Sequence, residues 1–408
     1  SYTVGETNPN ADGWELVGVT CTGENFPGPA TNPADFTLDP GEDVTCTFTN
    51  APLGSATVIK NSEGGDGLFG FEWGTLVNPA IPVGENAAFD LTTSAGTDSR
   101  DFTNSLLIND PYDLTELNVP APVGPYAQTW NLTNIICDDP TADSSYDPGE
   151  NGSDATIVAD TEETVTCTFT NTLDGTLVIR KTTVPAGDAQ LFAFTGDAAG
   201  SIDDYSNSSA ELFFTGAPNP APSAAYTSTE TVPAGWTLTN ISCAGDTNSD
   251  VSIGGTADFV DGDETVAVNL AAGETVICTF ENTALGSITI VKDAVGADGQ
   301  FSFNSEQLGG FAIDTSVDPD QDFPDLLPGS YLVSEVVPSG WGLANISCSG
   351  ETSSTITIGG AGGFDPGDNS VTIDLLDGED IVCTFQNVLQ APAIDLVKTG
   401  TLNDDDGT

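Results

Sequence analysis

The sequence contains no histidine and no methionine, and only six of its 408 residues are basic. With 62 acidic residues, its formal net charge is -56 at pH 7. Such a charge repels nucleic acids and anionic membranes, so we expect neither as a partner. Without histidine, no Ser/His/Asp or Cys/His catalytic group can form, and two thiols per repeat make a poor zinc site.

The chain also lacks a signal peptide and any apolar run long enough to span a membrane. We therefore expect no membrane insertion in this segment, and we interpret it as a mature or internal piece of a longer protein. Amphipathic helical patterns of useful length are missing too. Instead, 45 glycines and 25 prolines separate short Val, Ile, Thr and Phe runs, a pattern typical of many strands joined by turns.

Eight cysteines occupy repeated positions, and the second member of each pair lies in the string VTCTFTN, VICTFEN or IVCTFQN. The pairs are Cys21 with Cys46, Cys137 with Cys167, Cys243 with Cys278, and Cys348 with Cys383. A cysteine pair at one place in every repeat predicts one disulfide per repeat. Because disulfides persist in oxidising compartments, we expect an extracellular or cell-surface protein.

Alignment of the asparagines that end these strings predicts a tandem array of independently folded units, since 408 residues exceed one hydrophobic core. The fold class is all-β, with Ig-like or prealbumin-like β-sandwiches and Greek-key-type antiparallel sheets. The predicted boundaries are the C-terminal half of a domain at 1–50, complete domains at 51–171, 172–282 and 283–387, and the opening strand of a next domain, or a donor strand, at 388–408.

Three polar residues recur in each complete unit, on strand faces that are otherwise apolar under period-two alternation. A lysine ends the opening strand, a Tyr-x-x-x-Glu strand supplies a glutamate, and an asparagine ends the closing strand. The sets are Lys60, Glu116 and Asn171; Lys181, Glu230 and Asn282; and Lys292, Glu335 and Asn387. Glu6, Asn50 and Lys398 hold the same places in the incomplete units, where they are candidates for a truncated-domain or intermolecular site.

Burial of these groups predicts a specific reaction. Burial lowers the pKa of a lysine amine and raises the pKa of a glutamate, so that both neutral forms are favoured. A neutral amine can attack the asparagine carbonyl and release ammonia while the glutamate shuttles a proton, which forms an intramolecular isopeptide bond. The reaction would run once per unit, so we expect autocatalytic self-modification at most and no turnover enzyme. An inert buried Lys/Glu pair is the alternative interpretation.

The strand-end lysine, the Tyr-x-x-x-Glu strand before a Pro/Gly turn and the terminal TFxN resemble the B-type collagen-adhesin (CnaB, SpaA-like) domains. These are prealbumin-like β-sandwiches of bacterial surface proteins. The resemblance covers about residues 1–390 and implies isopeptide roles for the three complete sets. The tail QAPAIDLVKTGTLNDDDGT resembles the opening of another bacterial surface repeat.

These patterns favour a structural fibre or stalk, whose partners are neighbouring domains of the same long chain or identical subunits in a filament. One alternative is an adhesin whose loops bind a surface or glycan, with Trp73 and the insert after Glu116 as the features to test. Another is a subunit that polymerises by donor-strand complementation, with Lys398 facing Asn50.

No cofactor is predicted apart from one candidate Ca²⁺ site in an acidic loop. That loop contains Asp318, Asp320, Asp322 and Asp325. Phe323 stands where an EF-hand loop needs glycine, and solvated loop charge is the alternative interpretation.

Overall fold

The computed structural model describes residues 1–23, 28–74, 81–147, 154–219 and 224–391. These residues form 32 strands, one four-residue α-helix and one short 3-10 turn, so the all-β prediction is confirmed. Within the same residues, no helix is long and apolar enough to cross a membrane.

The strands fall into four units in chain order. The first unit has β1 (Tyr2–Val4), a 3-10 turn (Asn10–Asp12), β2 (Trp14–Thr22), β3 (Gly28–Pro29), β4 (Ala34–Phe36) and β5 (Thr45–Pro52). The second has β6 (Gly54–Glu63), β7 (Leu68–Trp73), β8 (Ala88–Thr92), β9 (Thr97–Leu106), β10 (Tyr112–Asn118), β11 (Trp130–Asp138), β12 (Ser145–Asp147), β13 (Asp154–Ile157) and β14 (Thr164–Leu173).

The third and fourth units have the same number of strands as the second. The third has β15 (Gly175–Val184), β16 (Phe192–Gly196), β17 (Gly200–Ile202), α1 (Tyr205–Ser208), β18 (Leu212–Gly216), β19 (Tyr226–Thr231), β20 (Trp236–Ala244), β21 (Asp250–Ile253), β22 (Thr265–Asn269) and β23 (Thr275–Ala284). The fourth has β24 (Gly286–Val295), β25 (Gln300–Asn304), β26 (Phe311–Asp314), β27 (Asp320–Leu326), β28 (Gly329–Val336), β29 (Trp341–Ser349), β30 (Thr355–Ile358), β31 (Ser370–Leu375) and β32 (Asp380–Leu389).

Each complete unit is a sandwich of a four-stranded and a five-stranded sheet. In the second unit the four-stranded order is β11-β14-β6-β9, and the third and fourth units follow the same plan. The opening and closing strands are neighbours and pair in parallel, through nine residue pairs in each unit. The four-stranded sheet is therefore mixed, and this one parallel pairing departs from the antiparallel sheets that the sequence pattern predicted. The remaining pairings are antiparallel, as predicted.

Each complete unit has its own buried core between its two sheets. The alternation predicted for the opening strands is confirmed: Ile288 and Ile290 are fully buried, and Lys292 follows on the same face with 2% of its surface exposed. On the closing strand, Phe280 and Asn282 are fully buried. Apolar residues at every second position thus carry the polar strand-end residues into the interior.

Single residues join consecutive units. Each closing strand ends two residues beyond its terminal asparagine, so the predicted boundaries fall inside these strands. One residue then precedes the next opening strand; the three linker residues are Leu53, Asp174 and Leu285. In each unit one strand begins with a tryptophan (β2, β11, β20 and β29), and it is called the Trp-bearing strand. Each linker donates its backbone N–H to the carbonyl of the residue just before this strand; the acceptors are Gly13, Thr129 and Gly235. The chain therefore passes between units as almost continuous strand.

All eight cysteines form disulfides with the predicted partners. The four bonds join Cys21 and Cys46, Cys137 and Cys167, Cys243 and Cys278, and Cys348 and Cys383. Each bond joins directly opposite residues of the Trp-bearing strand and the closing strand. Each disulfide therefore links two neighbouring strands of one sheet, four residues before the asparagine near the end of the closing strand.

The closing-strand cysteines differ in burial between the first unit and the complete ones. Cys383 is fully buried in the core of the fourth unit. Cys46 is only half-buried, because the described residues of the first unit form no second sheet large enough to cover that face.

The incomplete units differ in what the structure describes. The first unit contains only β1–β5, and within the described residues its closing strand pairs with β2 alone. Lys398 and the rest of the predicted opening strand at 388–408 lie almost entirely outside the described residues.

We expect removal of a disulfide to destabilise its unit mainly by restoring entropy to the unfolded chain. For Cys137→Ala/Cys167→Ala, which opens a loop of 30 residues, the free energy of unfolding of the second unit should fall by about 3–4 kcal/mol. Denaturant titration monitored by tryptophan fluorescence measures this change. Reduction of the unsubstituted chain, which opens all four disulfides, should destabilise every unit. A loss below about 1 kcal/mol would contradict the expectation.

Candidate functional site

The structure brings Lys60, Glu116 and Asn171 together in the core of the second unit. Lys60 lies opposite Phe169 in the parallel pairing of β6 and β14, and Asn171 is two residues further along β14 on the same face. Glu116 approaches from β10 in the other sheet. Lys60 and Asn171 are fully buried, and 6% of Glu116 is exposed.

The three side chains of this set are within direct contact distance of one another. Lys60 Nζ donates to Asn171 Oδ1 at 2.6 Å, and Asn171 Nδ2 donates to Glu116 Oε1 at 2.7 Å. The second carboxylate oxygen, Oε2, is 3.7 Å from Lys60 Nζ. Amine, carboxamide and carboxylate therefore form a closed triangle with no apolar side chain between them.

The third unit repeats this arrangement with a different amine position. Asn282 Nδ2 donates to Glu230 Oε1 at 2.7 Å. Lys181 Nζ donates instead to the carbonyls of Thr182 and Phe280, at 2.5 and 3.0 Å.

In the fourth unit, Asn387 Nδ2 donates to Glu335 Oε1 at 2.5 Å, and Lys292 Nζ is 4.0 Å from Glu335 Oε2. The amine donates to the Phe385 carbonyl at 2.6 Å. In the third and fourth units the asparagine Oδ1 atoms are buried and have no hydrogen-bond partner among the described residues. Buried polar atoms without partners are rare and often mark reactive sites.

Burial shifts the pKa values of both ionisable groups toward neutrality. It lowers the pKa of Lys60, Lys181 and Lys292 to about 8, although the neighbouring glutamate opposes the shift in each case. It raises the pKa of Glu116 and Glu335, and that of Glu230 to about 7. Near neutral pH an amine without its proton and a protonated carboxyl are thus both accessible.

A phenylalanine ring lies against the lysine amine in each site, and it was assigned no role from the sequence. Lys60 Nζ lies 4.4 Å from the centroid of the Phe69 ring, and the corresponding distances are 4.2 Å to Phe192 and 4.3 Å to Phe301. The first phenylalanine of the Phe-x-Phe strand therefore covers the amine. Its position 9 to 11 residues after the lysine was visible in the sequence, but only the packing of the two sheets shows the contact.

A second repeated residue was missed altogether. A glutamate four residues before the second cysteine accepts hydrogen bonds from the loop after the first cysteine; these residues are Glu163, Glu274 and Glu379. Hydrogen bonds from the hydroxyls of Ser354 and Thr352 lower the pKa of Glu379 to about 2. These carboxylates anchor loops and lie apart from the Lys/Glu/Asn sites.

The first unit holds two members of such a site. Asn50 Nδ2 donates to Glu6 Oε1 at 2.7 Å, as in the complete units. Asn50 Oδ1 and Glu6 Oε2 are buried and make no hydrogen bond within the described residues. No lysine of the described residues reaches this pair, and Lys398 lies outside them.

The two features named for surface or glycan binding lie in the core of the second unit and at its contact with the third unit. Trp73 is buried in the core of the second unit, with 2% of its surface exposed. The insert after Glu116 contacts the third unit. Around Asp320, and elsewhere in the described residues, no three His, Cys, Asp or Glu side chains are grouped so that they could hold a metal ion.

Comparison with known proteins accounts for the repeats. A family model described as a prealbumin-like fold domain matches the chain four times, at residues 1–52, 56–173, 177–284 and 288–389. The chain belongs to this family. The four matched segments correspond to the four units, and each segment ends at the last residue of a closing strand. A search of curated proteins finds no match.

Several solved structures resemble the chain at low identity. The Bacillus anthracis TIE protein is 17% identical over 91% of this chain and 57% of that one, with a TM-score of 0.29. The pilus adhesin SpaC from Lactobacillus rhamnosus GG is 14% identical over 89% and 46%, with a TM-score of 0.25. The full-length major pilin SpaD from Corynebacterium diphtheriae is 12% identical over 83% and 98%, with a TM-score of 0.26. The chain spans only about half the length of the first two proteins.

We expect the buried amines to titrate far below an ordinary lysine when no bond can form. In Asn387→Ala, Lys292 should titrate near pH 8, because burial disfavours its charge. Adding Glu335→Gln should lower this pKa further, because it removes the carboxylate that stabilises the charged amine. Lysine-selective ¹⁵N labelling resolves the signals, since the chain has only four lysines.

The same shift predicts the direction of a change in stability. Between pH 8 and 10.5 the unfolded state holds a proton that folded Lys292 has lost, so the stability of Asn387→Ala should rise with pH across this window. Its reference is Lys292→Met/Asn387→Ala, which lacks the amine. A Lys292 titration close to 10.5 would contradict the burial argument.

Proposed function

We propose that the chain is a segment of an extracellular stalk or filament whose prealbumin-like units are each crosslinked by an isopeptide bond in addition to the disulfide. The observation that carries this proposal is the repeated burial of a lysine beside a hydrogen-bonded Asn/Glu pair. In the second unit, Lys60 Nζ lies 2.6 Å from Asn171 Oδ1. Four disulfides support an oxidising, extracellular location.

The reaction needs only groups that each site contains. The lone pair of neutral Lys60 Nζ attacks Asn171 Cγ, while protonated Glu116 donates a hydrogen bond that polarises the carboxamide. A C–N bond forms, a proton moves from Nζ through Glu116 to Nδ2, and the Cγ–Nδ2 bond breaks to release ammonia. Because both strands already hold the reactants in place, proximity replaces an enzyme.

The parallel pairing gives such a bond a mechanical role. Tension enters a unit at the start of its opening strand and leaves at the end of its closing strand, so it shears these two neighbours along their nine residue pairs. A Lys60–Asn171 bond would carry that tension directly and bypass residues 61–170. The disulfide Cys137–Cys167 lies inside the bypassed segment, so it would stabilise the unit without bearing the load.

A filament of identical subunits is the second candidate. Its supporting observation is the first unit, where Glu6 and Asn50 are arranged as in the complete units. A parallel neighbour of β5 would have to come from outside the described residues. A strand carrying Lys398 from another copy would supply both the neighbour and the amine. For the adhesin alternative, by contrast, no exposed aromatic loop of the described residues provides specific support.

Mass spectrometry of the reduced intact chain tests the crosslinks. We expect a mass below that of the sequence by three ammonia molecules, one for each complete Lys/Glu/Asn set. Glu335→Gln should reduce the deficit to two, because it removes the proton shuttle of the fourth unit. Glu306→Gln, at an exposed position of the same unit, is the matched control and should keep all three.

If the mass after reduction equals that of the unmodified sequence, the crosslink proposal is wrong and each site holds an inert Lys/Glu pair. Covalent multimers that survive reduction would favour the subunit alternative, provided that Asn50→Ala and Lys398→Ala each abolish them.

Force spectroscopy separates the contributions of the two crosslinks. The unsubstituted second unit should not extend under load, whether oxidised or reduced, because the isopeptide bond alone carries the tension. Lys60→Met should extend, and its length gain should be about 10 nm smaller when oxidised than when reduced, since the disulfide retains a 30-residue loop. Extension of the unsubstituted reduced unit would rule out the proposed load path.

A further inference from the structure

The second unit has an insert between its Tyr-x-x-x-Glu strand and its Trp-bearing strand. Thirteen residues separate Glu116 from Trp130, whereas five separate Glu230 from Trp236 in the third unit. We refer to residues 119–129 as the junction segment. It folds back on itself, because Val123 and Gln128 exchange two backbone hydrogen bonds of 2.9 and 3.0 Å.

Tyr126, at the tip of the junction segment, contacts the edge strand β18 of the third unit and the residue before it. Its hydroxyl donates to Glu211 Oε2 at 2.8 Å, and its ring centroid is 5.3 Å from that of Phe213. Thr215 Oγ1 donates to the Tyr126 carbonyl at 3.3 Å. Burial and the neighbouring Glu211 raise the pKa of Tyr126, which keeps the phenol protonated as a donor.

The acceptor on the third unit is itself held in place. Arg180, on the opening strand, donates from Nε to Glu211 Oε1 at 2.5 Å, so each carboxylate oxygen has its own partner. The guanidinium also lies 4.8 Å from the Tyr205 ring centroid. Charge-assisted hydrogen bonds of this kind are stronger than neutral ones. One of only two arginines in the chain therefore orients the carboxylate that accepts the hydrogen bond from Tyr126.

At the base of the junction segment, Gln128 joins the linker to the third unit. Its side chain is buried, and Nε2 donates to the carbonyls of Asp174 and Glu274 at 2.9 and 3.3 Å. Beside it, the Gly273 amide donates to the Leu173 carbonyl at 3.1 Å. Two separated sets of contacts, one around Tyr126 and one around Gln128, thus oppose rotation about the single-residue linker.

We propose that the junction segment locks the second unit onto the third and makes this junction stiffer than the one between the third and fourth units. Domains joined by a linker move relative to each other unless their interface restrains them. The third unit has the short Glu230-to-Trp236 connection and no counterpart of Tyr126 or Gln128. The proposal does not depend on isopeptide formation, because every contact lies outside the Lys/Glu/Asn sites.

Single-molecule energy transfer in the full chain tests the lock. Dyes on noncanonical residues at Asp110 and Asp258, both exposed, report the distance between the second and third units. We expect Tyr126→Ala/Gln128→Ala to broaden the distance distribution by about twofold or more. Tyr146→Ala, which removes a tyrosine at 44% exposure from the same unit, is the matched control and should leave the width unchanged.

Hydrogen exchange provides a second measurement and a milder variant. The Gly273 amide should exchange about tenfold faster in the double variant, because its acceptor belongs to the second unit. Tyr126→Phe keeps the ring against Phe213 but loses the Glu211 hydrogen bond, so it should broaden the distribution less. The proposal is overturned if the unsubstituted chain is already as broad as the double variant, or if Gly273 exchange does not change.

Discussion

Each opening strand pairs in parallel with the closing strand of its own unit, and this pairing sets both the Lys/Glu/Asn site and the way that units follow one another. It places a lysine and an asparagine on one face of neighbouring strands, two residues apart in register, as with Lys60 and Asn171. It also makes the chain enter and leave a unit along adjacent strands that run in the same direction. Units can therefore follow one another through single-residue linkers, and tension acts as shear.

The buried polar groups are unusual for so acidic a chain. Three of its four lysines lie in apolar cores, where the cost of burying an isolated charge is several kcal/mol. Glutamate opposite each lysine reduces that cost, yet the asparagine oxygens of the third and fourth units have no hydrogen-bond partner among the described residues. A covalent product would remove this conflict, because an amide in place of the amine has no charge to bury.

The second unit shows how one repeat acquires a property of its own. Its core, disulfide and Lys/Glu/Asn set follow the same plan as those of the third and fourth units. Its insert, however, is used against the third unit, through Tyr126 and Gln128. The insert had suggested a ligand-binding loop because loops often bind ligands. The neighbouring unit covers its key side chains instead.

The all-β class, the repeat, the cysteine pairs and the inward lysine, glutamate and asparagine could all be predicted from the sequence. Period-two alternation is a local pattern, and repetition appears when the chain is aligned with itself. The disulfide partners Cys243 and Cys278 needed no more than their repeated positions. Three features could not be predicted from the sequence: the parallel pairing of opening and closing strands, the contact of Phe69 with an amine, and the hydrogen bond from Gln128 to Glu274. These contacts join residues far apart in the chain, and they depend on how sheets and units pack, which no local pattern encodes.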